Sequence, residues 1–233
     1  ETVKSQAKDI LSKKAIKERM ADFSGHISIK SKQSNSSYNS SILNTEGFQL
    51  NKIKALPDVA STQKYVSVSG ILRNEHNFAG IIFKGIGKDF DSERFKKFIV
   101  AGKTPVVTEK GFNNGICISH QSPLYRKFEV VGIYKTDIKM IDDLFIIGGI
   151  NHARKIQGMK NNEVGGIDVF LKNINDIDED APKIDELAGY KNYTTKATAE
   201  YPQIMDFIAI FDTNIALIII MMMVVVIINI VMV

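Results

Sequence analysis

The pattern of apolar and polar positions divides the chain in two. From Ile215 to Val233 every side chain except Asn229 is Ile, Val, Met, Leu or Ala. As a helix, that run spans roughly 28 Å at 1.5 Å per residue, close to the hydrocarbon thickness of a bilayer. A core helix of this length would rarely be apolar on every face, so 207–233 reads as a transmembrane helix. No Lys, Arg, Trp or Tyr follows Val233 to mark a second interface. The chain therefore reads as a piece: a polar domain joined to a membrane segment with a truncated end.

Upstream, the pattern alternates between helical and extended periods. Ala7, Ile10, Leu11, Ala15 and Met20 fall near one face of a helix over 1–22, which Gly25 ends. His26 to Lys30 alternates as a strand. Ser31 to Ser41 is a Ser/Asn/Gln loop. Leu50, Ile53 and Leu56 predict a short helix, broken at Pro57, and Val59 to Leu72 predicts a strand. Phe78 to Phe83 is a further strand, turned at Gly85-Ile86-Gly87, and Asp91 to Phe98 is a short basic helix. Strands are expected at 106–108, 116–118, Phe128–Tyr134 and Leu144–Ile147, with Gly148-Gly149 after the last. A helix follows over Asn151–Gln157 and a joint at Gly165-Gly166. Ile167 to Lys172 is a strand, Asp176 to Leu187 an acidic helix that restarts at Pro182, and Tyr190 to Thr198 is extended.

Strand, helix, strand over 26–72 is thus repeated over 167–198. Two such halves can pair into one α+β sheet domain, with the middle of the chain as an insertion. The expected organisation is a lobe of 23–73 and 165–200, and a β-rich lobe of 74–164.

Composition narrows the function. The net charge is +4, and the lysines are interspersed with Asp and Glu, so no nucleic-acid footprint is present. The basic stretch from Lys4 to Arg19 suits a solvated helix face or anionic headgroups. Cys117 is the single cysteine, which excludes an internal disulfide. The first twenty residues lack the apolar core of a signal peptide.

Catalytic patterns are absent. Lys84-Gly85-Ile86-Gly87-Lys88-Asp89 lacks the spacing of a phosphate loop and reads as a turn. His26, His76, His120 and His152 are far apart, which argues against zinc. Ser119-His120 has no nucleophile elbow. Asp176 to Asp180 lacks the glycine and terminal glutamate of a calcium loop. We expect no catalytic residue, no metal and no cofactor in this chain.

Several segments, in order, carry a family resemblance. They are Phe23-Ser-Gly-His-Ile-Ser-Ile29, Phe78-Ala-Gly-Ile-Ile-Phe-Lys-Gly-Ile-Gly87, Phe98-Ile-Val-Ala-Gly-Lys103 and Phe128-Glu-Val-Val-Gly-Ile-Tyr134. Tyr201-Pro-Gln-Ile, Phe207 and Phe211-Asp212-Thr-Asn214 then lead into the apolar helix. Together they resemble lipoprotein-releasing ABC transporter permeases of the LolC/LolE type, within the wider FtsX/MacB-like group. The resemblance implies a bacterial inner-membrane subunit with four membrane helices. Its large periplasmic domain would have a membrane-proximal porter lobe (the two chain ends) and a distal sabre lobe (74–164). The helix over 1–22 would continue from a preceding membrane helix.

The implied partners are a cytoplasmic ABC ATPase that supplies the energy, a second permease subunit, lipoprotein cargo, a periplasmic carrier protein and membrane lipids. Phe207, Phe211, Met221, Met222 and Met223 are the candidates for lipid or cargo contact. Ser119, His120, Gln121, Ser122, Pro123, Leu124 and Tyr125 occupy the place of the carrier-docking hairpin. That segment is shorter here than in the family, which leaves both a LolC-like and a LolE-like role open. Alternative readings are a MacB- or FtsX-like mechanotransmission subunit, for efflux or cell-wall hydrolase control, and an extracytoplasmic sensor or adaptor on a membrane anchor.

Overall fold

The computed structural model describes residues 14–33, 39–73, 78–105, 130–197 and 220–227. Its first element, α1 (14–24), buries Met20 and Phe23, with Ile16 one turn earlier on the same face. Ala15, expected on that face, is exposed. Gly25 ends the helix at φ +83°, a left-handed conformation that suits glycine.

A six-stranded sheet organises the rest. Its order is β10 (Asn192–Lys196), β1 (Ile27–Ser31), β9 (Gly166–Leu171), β3 (Val59–Arg73), β4 (Phe78–Ile86), β7 (Phe145–Gly149). The first four strands are antiparallel neighbours. They come from two strand–helix–strand halves, β1–α2–β3 and β9–α6–β10, where α2 is Leu50–Lys54 and α6 is Ile177–Ala188. Each half's strands flank a strand of the other, which is the interleaved βαβ arrangement of ferredoxin-like sheets. The repeat visible in the sequence is therefore one continuous sheet.

Strand β4 joins it through nine residue pairs with β3, and β7 adds in parallel to β4. The sheet thus runs across the expected 73/74 boundary between lobes. Between β4 and β7 the chain forms α3 (Ser92–Lys96), the ladder of β5 (Ile99–Gly102) with β6 (Gly132–Tyr134), and α4 (Lys139–Leu144). After β7 come α5 (Ile150–Gln157) and β8 (Glu163–Val164), which pairs with β2 (Leu43–Asn44).

Alternation in the strands feeds two cores. Ile27, Ile29, Ile167, Val169, Val66 and Phe83 point to one face, where Ile53, Ala153, Ile184 and Ala188 of α2, α5 and α6 cover them. Ile82 and Phe145 point to the other, beneath Met20 and Phe23 of α1, Phe95 of α3 and Ile141 of α4.

Three expectations change. Gly85-Ile86 does not turn the chain: β4 continues through both. A Cβ on Gly85 would lie 2.8 Å from Ala153 Cβ and 2.9 Å from Ile150 Cα, so the glycine is there to seat α5. Gly148-Gly149 likewise belongs to β7, and Gly148 leaves room for the Phe83 ring, 2.4 Å from where its Cβ would be. Finally, α6 does not restart at Pro182. Burial of Ala181, Ile184 and Ala188 against the sheet outweighs the one intrahelical hydrogen bond that proline removes.

The strands expected at 106–108 and 116–118 lie outside the described residues. Of the expected membrane helix, 220–227 is described and helical. Among the described residues, no helix is long and apolar enough to cross a membrane.

Candidate functional site: the junction of the first helix with the sheet

The two ends of the sheet domain meet at one place. The turn at Gly25 brings β1 directly after α1, and Ile27 of β1 pairs with Lys196 at the end of β10. His26 is the hinge of this meeting. Its N–H donates to Val169 O at 2.9 Å, and its carbonyl accepts from Ala197 N at 3.0 Å. Its ring Nδ1 accepts from Leu171 N at 3.2 Å. Burial lowers the His26 pKa, opposed by Asp22 and aided by Arg94 and Lys97. The neutral ring is the form that can accept this bond at Nδ1.

The last turn of α1 plugs into an aromatic seat. The Phe23 ring meets Phe145 edge-on at 5.3 Å and stacks on Tyr134 at 6.0 Å. Phe95 closes the seat at 6.5 Å. Such ring pairs add to simple area burial. The Tyr134 hydroxyl donates to Phe145 O at 2.8 Å, joining β6 to β7. Burial, with Asp142 nearby, raises its pKa, which keeps the phenol a donor.

Charged groups then fix the helix at three heights. Arg19 Nη1 donates to Thr136 O at 2.9 Å and pairs with Asp137. Asp22 pairs with Lys97, just beyond α3. Both pairs are partly exposed and individually weak. The third contact is deep. Lys84 of β4 places Nζ 3.2 Å from Phe23 O and 2.8 Å from Asp168 Oδ2 of β9. The side chains of Lys84 and Asp168 are 6% and 1% exposed. Ser28 Oγ donates to Asp168 Oδ1 at 3.2 Å and lies 3.1 Å from Tyr65 OH. A lysine thus caps the carbonyl end of α1, where a cation is favoured, while its charge is balanced inside the sheet.

Beside this network a narrow cleft opens, lined among others by Asp22, Gln63, Lys84, Phe90, Arg94 and Phe170. The Arg94 guanidinium lies over the Phe170 ring, 3.7 Å from its centroid, and donates to Ser61 Oγ at 2.7 Å. Among the described residues no group of three His, Cys, Asp or Glu could hold a metal ion. Apolar and ionic contacts thus hold α1 on the sheet beside the end of β10.

The residues singled out from sequence are not among those named above. Ser119 to Tyr125, Phe207 and Phe211 fall outside the described residues. Met221, Met222 and Met223 lie on the helical stretch 220–227, each more than half exposed. The joint residues were missed, although they left a signal. Lys84 sits between Phe83 and Gly85 in an apolar strand, and Asp168 sits between Ile167 and Val169. A charge at such a position is almost never buried unless paired.

No known protein family profile matches this sequence. No curated protein matches it either. Among solved structures, the chain is similar to the extracellular domain of the noncanonic ABC-type transporter YknZ from Gram-positive bacteria, at 15% identity and a TM-score of 0.45. That match covers 73% of this chain and 99% of the other. It is also similar to the periplasmic region of MacB from Actinobacillus actinomycetemcomitans, at 15% identity and a TM-score of 0.47, covering 77% and 92%.

Proposed function

We propose that this chain is the extracytoplasmic domain, with its membrane connection, of a permease subunit in an ABC transporter of the FtsX/MacB-like group. The observation that carries the reading is the pairing of Ile27 with Lys196. It sets the end of α1 beside the end of β10, so a displacement of either connection reaches the same edge of the sheet. The ordered sequence segments that resemble lipoprotein-releasing permeases support it, as does the apolar run Ile215–Val233.

In this reading the subunit sits in a bacterial inner membrane with its main domain in the periplasm. A cytoplasmic ATPase partner hydrolyses ATP, and this chain passes on the motion without chemistry of its own. A second permease subunit completes the membrane part. The cargo, from the LolC/LolE-type resemblance, is lipoprotein drawn from the membrane and passed to a periplasmic carrier.

The test is affinity purification of the full-length protein from native membranes, with mass spectrometry of what accompanies it. An ABC-type ATPase together with lipoproteins is the expected result. The ATPase with an outer-membrane channel or a cell-wall hydrolase would overturn the lipoprotein cargo and leave a MacB- or FtsX-like subunit. Absence of any ATPase would overturn the transporter reading.

A further inference from the structure

Strand β3 is longer than the strands on either side of it. Its pairing with β9 ends where Tyr65 faces Gly166, while its pairing with β4 continues to Arg73 and Phe78. Beyond Tyr65, the edge of β3 turned away from β4 therefore needs other partners. A short segment of the chain itself takes the first rungs. Ser40 N donates to Ser67 O at 2.9 Å, and Ser67 N donates to Ser40 Oγ at 2.7 Å. Ser69 N donates to Asn39 Oδ1 at 2.7 Å. Side-chain oxygens stand here where a neighbouring strand would offer carbonyls.

The next rung has no partner among the described residues. In an antiparallel strand the N–H and C=O of one residue point to the same edge, and successive residues point to opposite edges. Ser67 and Ser69 point away from β4, so Ile71 does as well. Its N–H and C=O, and the Ser69 C=O, meet no hydrogen-bonding group among the described residues. The surface around them is apolar. Ile71 is 51% exposed and Phe78 is 81% exposed. Ile71 pairs with Gly80, and Phe78 pairs with Arg73 two positions on, so Ile71 and Phe78 share one face of the β3–β4 ladder. Unpaired backbone beside exposed apolar side chains is a template on which another strand can add.

We propose that the edge of β3 from Ser69 to Ile71 docks an extended polypeptide segment of another protein, added as a short strand with an apolar side chain toward Ile71 and Phe78. The occupant continues a row that the chain's own residues 39–40 begin on the same edge. It is not a second copy of β3. Two such edges paired about Ile71 would set the copy's chain beyond Arg73 level with Ser67, on the rung that Ser40 holds. Main-chain bonds supply the affinity of such docking, and the apolar contact at Ile71 and Phe78 supplies the preference. The surface is separate from the α1 junction. Thr62 is level with Val169 and Ile27, and Ile71 lies roughly 30 Å further along β3. The inference does not depend on the transporter reading.

The probe is a fluorescent, end-blocked peptide, Thr-Val-Thr-Ile-Thr, at millimolar concentration with the full-length protein in lipid nanodiscs. Its control is the same peptide N-methylated at every amide, which keeps the side chains and removes the donors. Hydrogen–deuterium exchange over 69–73 should slow at least threefold with the peptide and stay unchanged with the control. Ile71→Pro removes the outward N–H, which is not part of the β3–β4 ladder. It should weaken peptide binding, read by fluorescence anisotropy, at least tenfold while the thermal midpoint is kept. Ile71→Thr keeps the N–H and loses apolar contact, so it should weaken binding about threefold. No protection by the peptide, or equal protection by the control, would overturn the proposal, and that comparison decides even where Ile71→Pro fails to fold. Undiminished binding by a folded Ile71→Pro would also overturn it. Protection of 69–73 that rises with protein concentration in the absence of peptide would identify a second copy as the occupant and overturn the partner named here.

Discussion

Lys84 Nζ and Asp168 Oδ2 lie 2.8 Å apart between side chains that are almost wholly withdrawn from water. Removing one member strands the other as a buried charge. Lys84→Ala or Asp168→Ala should each lower stability by about 3–5 kcal/mol. Replacing both by apolar residues, as in K84M/D168L, should cost much less than the sum, because no uncompensated charge remains. Urea unfolding of the four proteins checks this, and additive losses would contradict it.

Gly25 joins α1 to β1 at φ +83°. An added Cβ would lie 2.8 Å from Asp168 Cβ and 3.2 Å from Asp168 Cα. Gly25→Ala meets both a left-handed backbone and a collision with β9, so it should destabilise by about 2 kcal/mol or more. Gly158→Ala shares the positive φ, at +66°, but has open space around it. It should cost only about 1 kcal/mol. Thermal melts of the two variants separate the steric part from the backbone part.

Phe23 is 4% exposed and touches three aromatic neighbours. Phe23→Ala should lower stability by about 3–5 kcal/mol. It should also diminish the near-ultraviolet circular dichroism of the cluster. A conservative Phe23→Leu should recover a good part of the stability but not the aromatic signal. A small loss in Phe23→Ala would mean that α1 contributes little to the second core.

His26 predicts a pH dependence. Its folded pKa lies below the ordinary 6.5 because of burial, with Asp22 opposing and Arg94 and Lys97 reinforcing the shift. The folded protein therefore binds fewer protons than the unfolded chain between the folded value and 6.5. Stability should be full above 6.5 and should fall as pH drops through that window. Protonation also removes the acceptor for Leu171 N. Asp178 and Glu179, whose lysine partners lower their pKa, titrate at more acid pH. Denaturation between pH 8 and pH 5 should show the slope in the native protein and a smaller one in His26→Gln.

Much of the fold was legible along the chain. Leu50, Ile53 and Leu56 stand at helical spacing, and a short helix forms there; Ile27 and Ile29 alternate with Ser28, and a strand forms there. The β5 strand and α4 were not legible, since neither presents a clean period over its short length. Gly85 and Gly148 misled for a different reason. A glycine marks a turn or a close approach, and the sequence does not say which. Here Ala153 and the Phe83 ring fill the space that a side chain would take.

What the sequence determined by itself is local: the type and order of elements, their buried faces, the repeat of strand–helix–strand, and the apolar run after Ile215. These follow from backbone geometry and side-chain period, which act between near neighbours. The tertiary structure decided what depends on distant segments coming together. It set the strand order, with β9 between β1 and β3, and so placed Ser28, Asp168 and Gln63 in one row. It also brought Lys84 to a carboxylate 84 positions away and to the end of α1. A buried charge announces in the sequence that it needs a partner; only the register of the sheet identifies it.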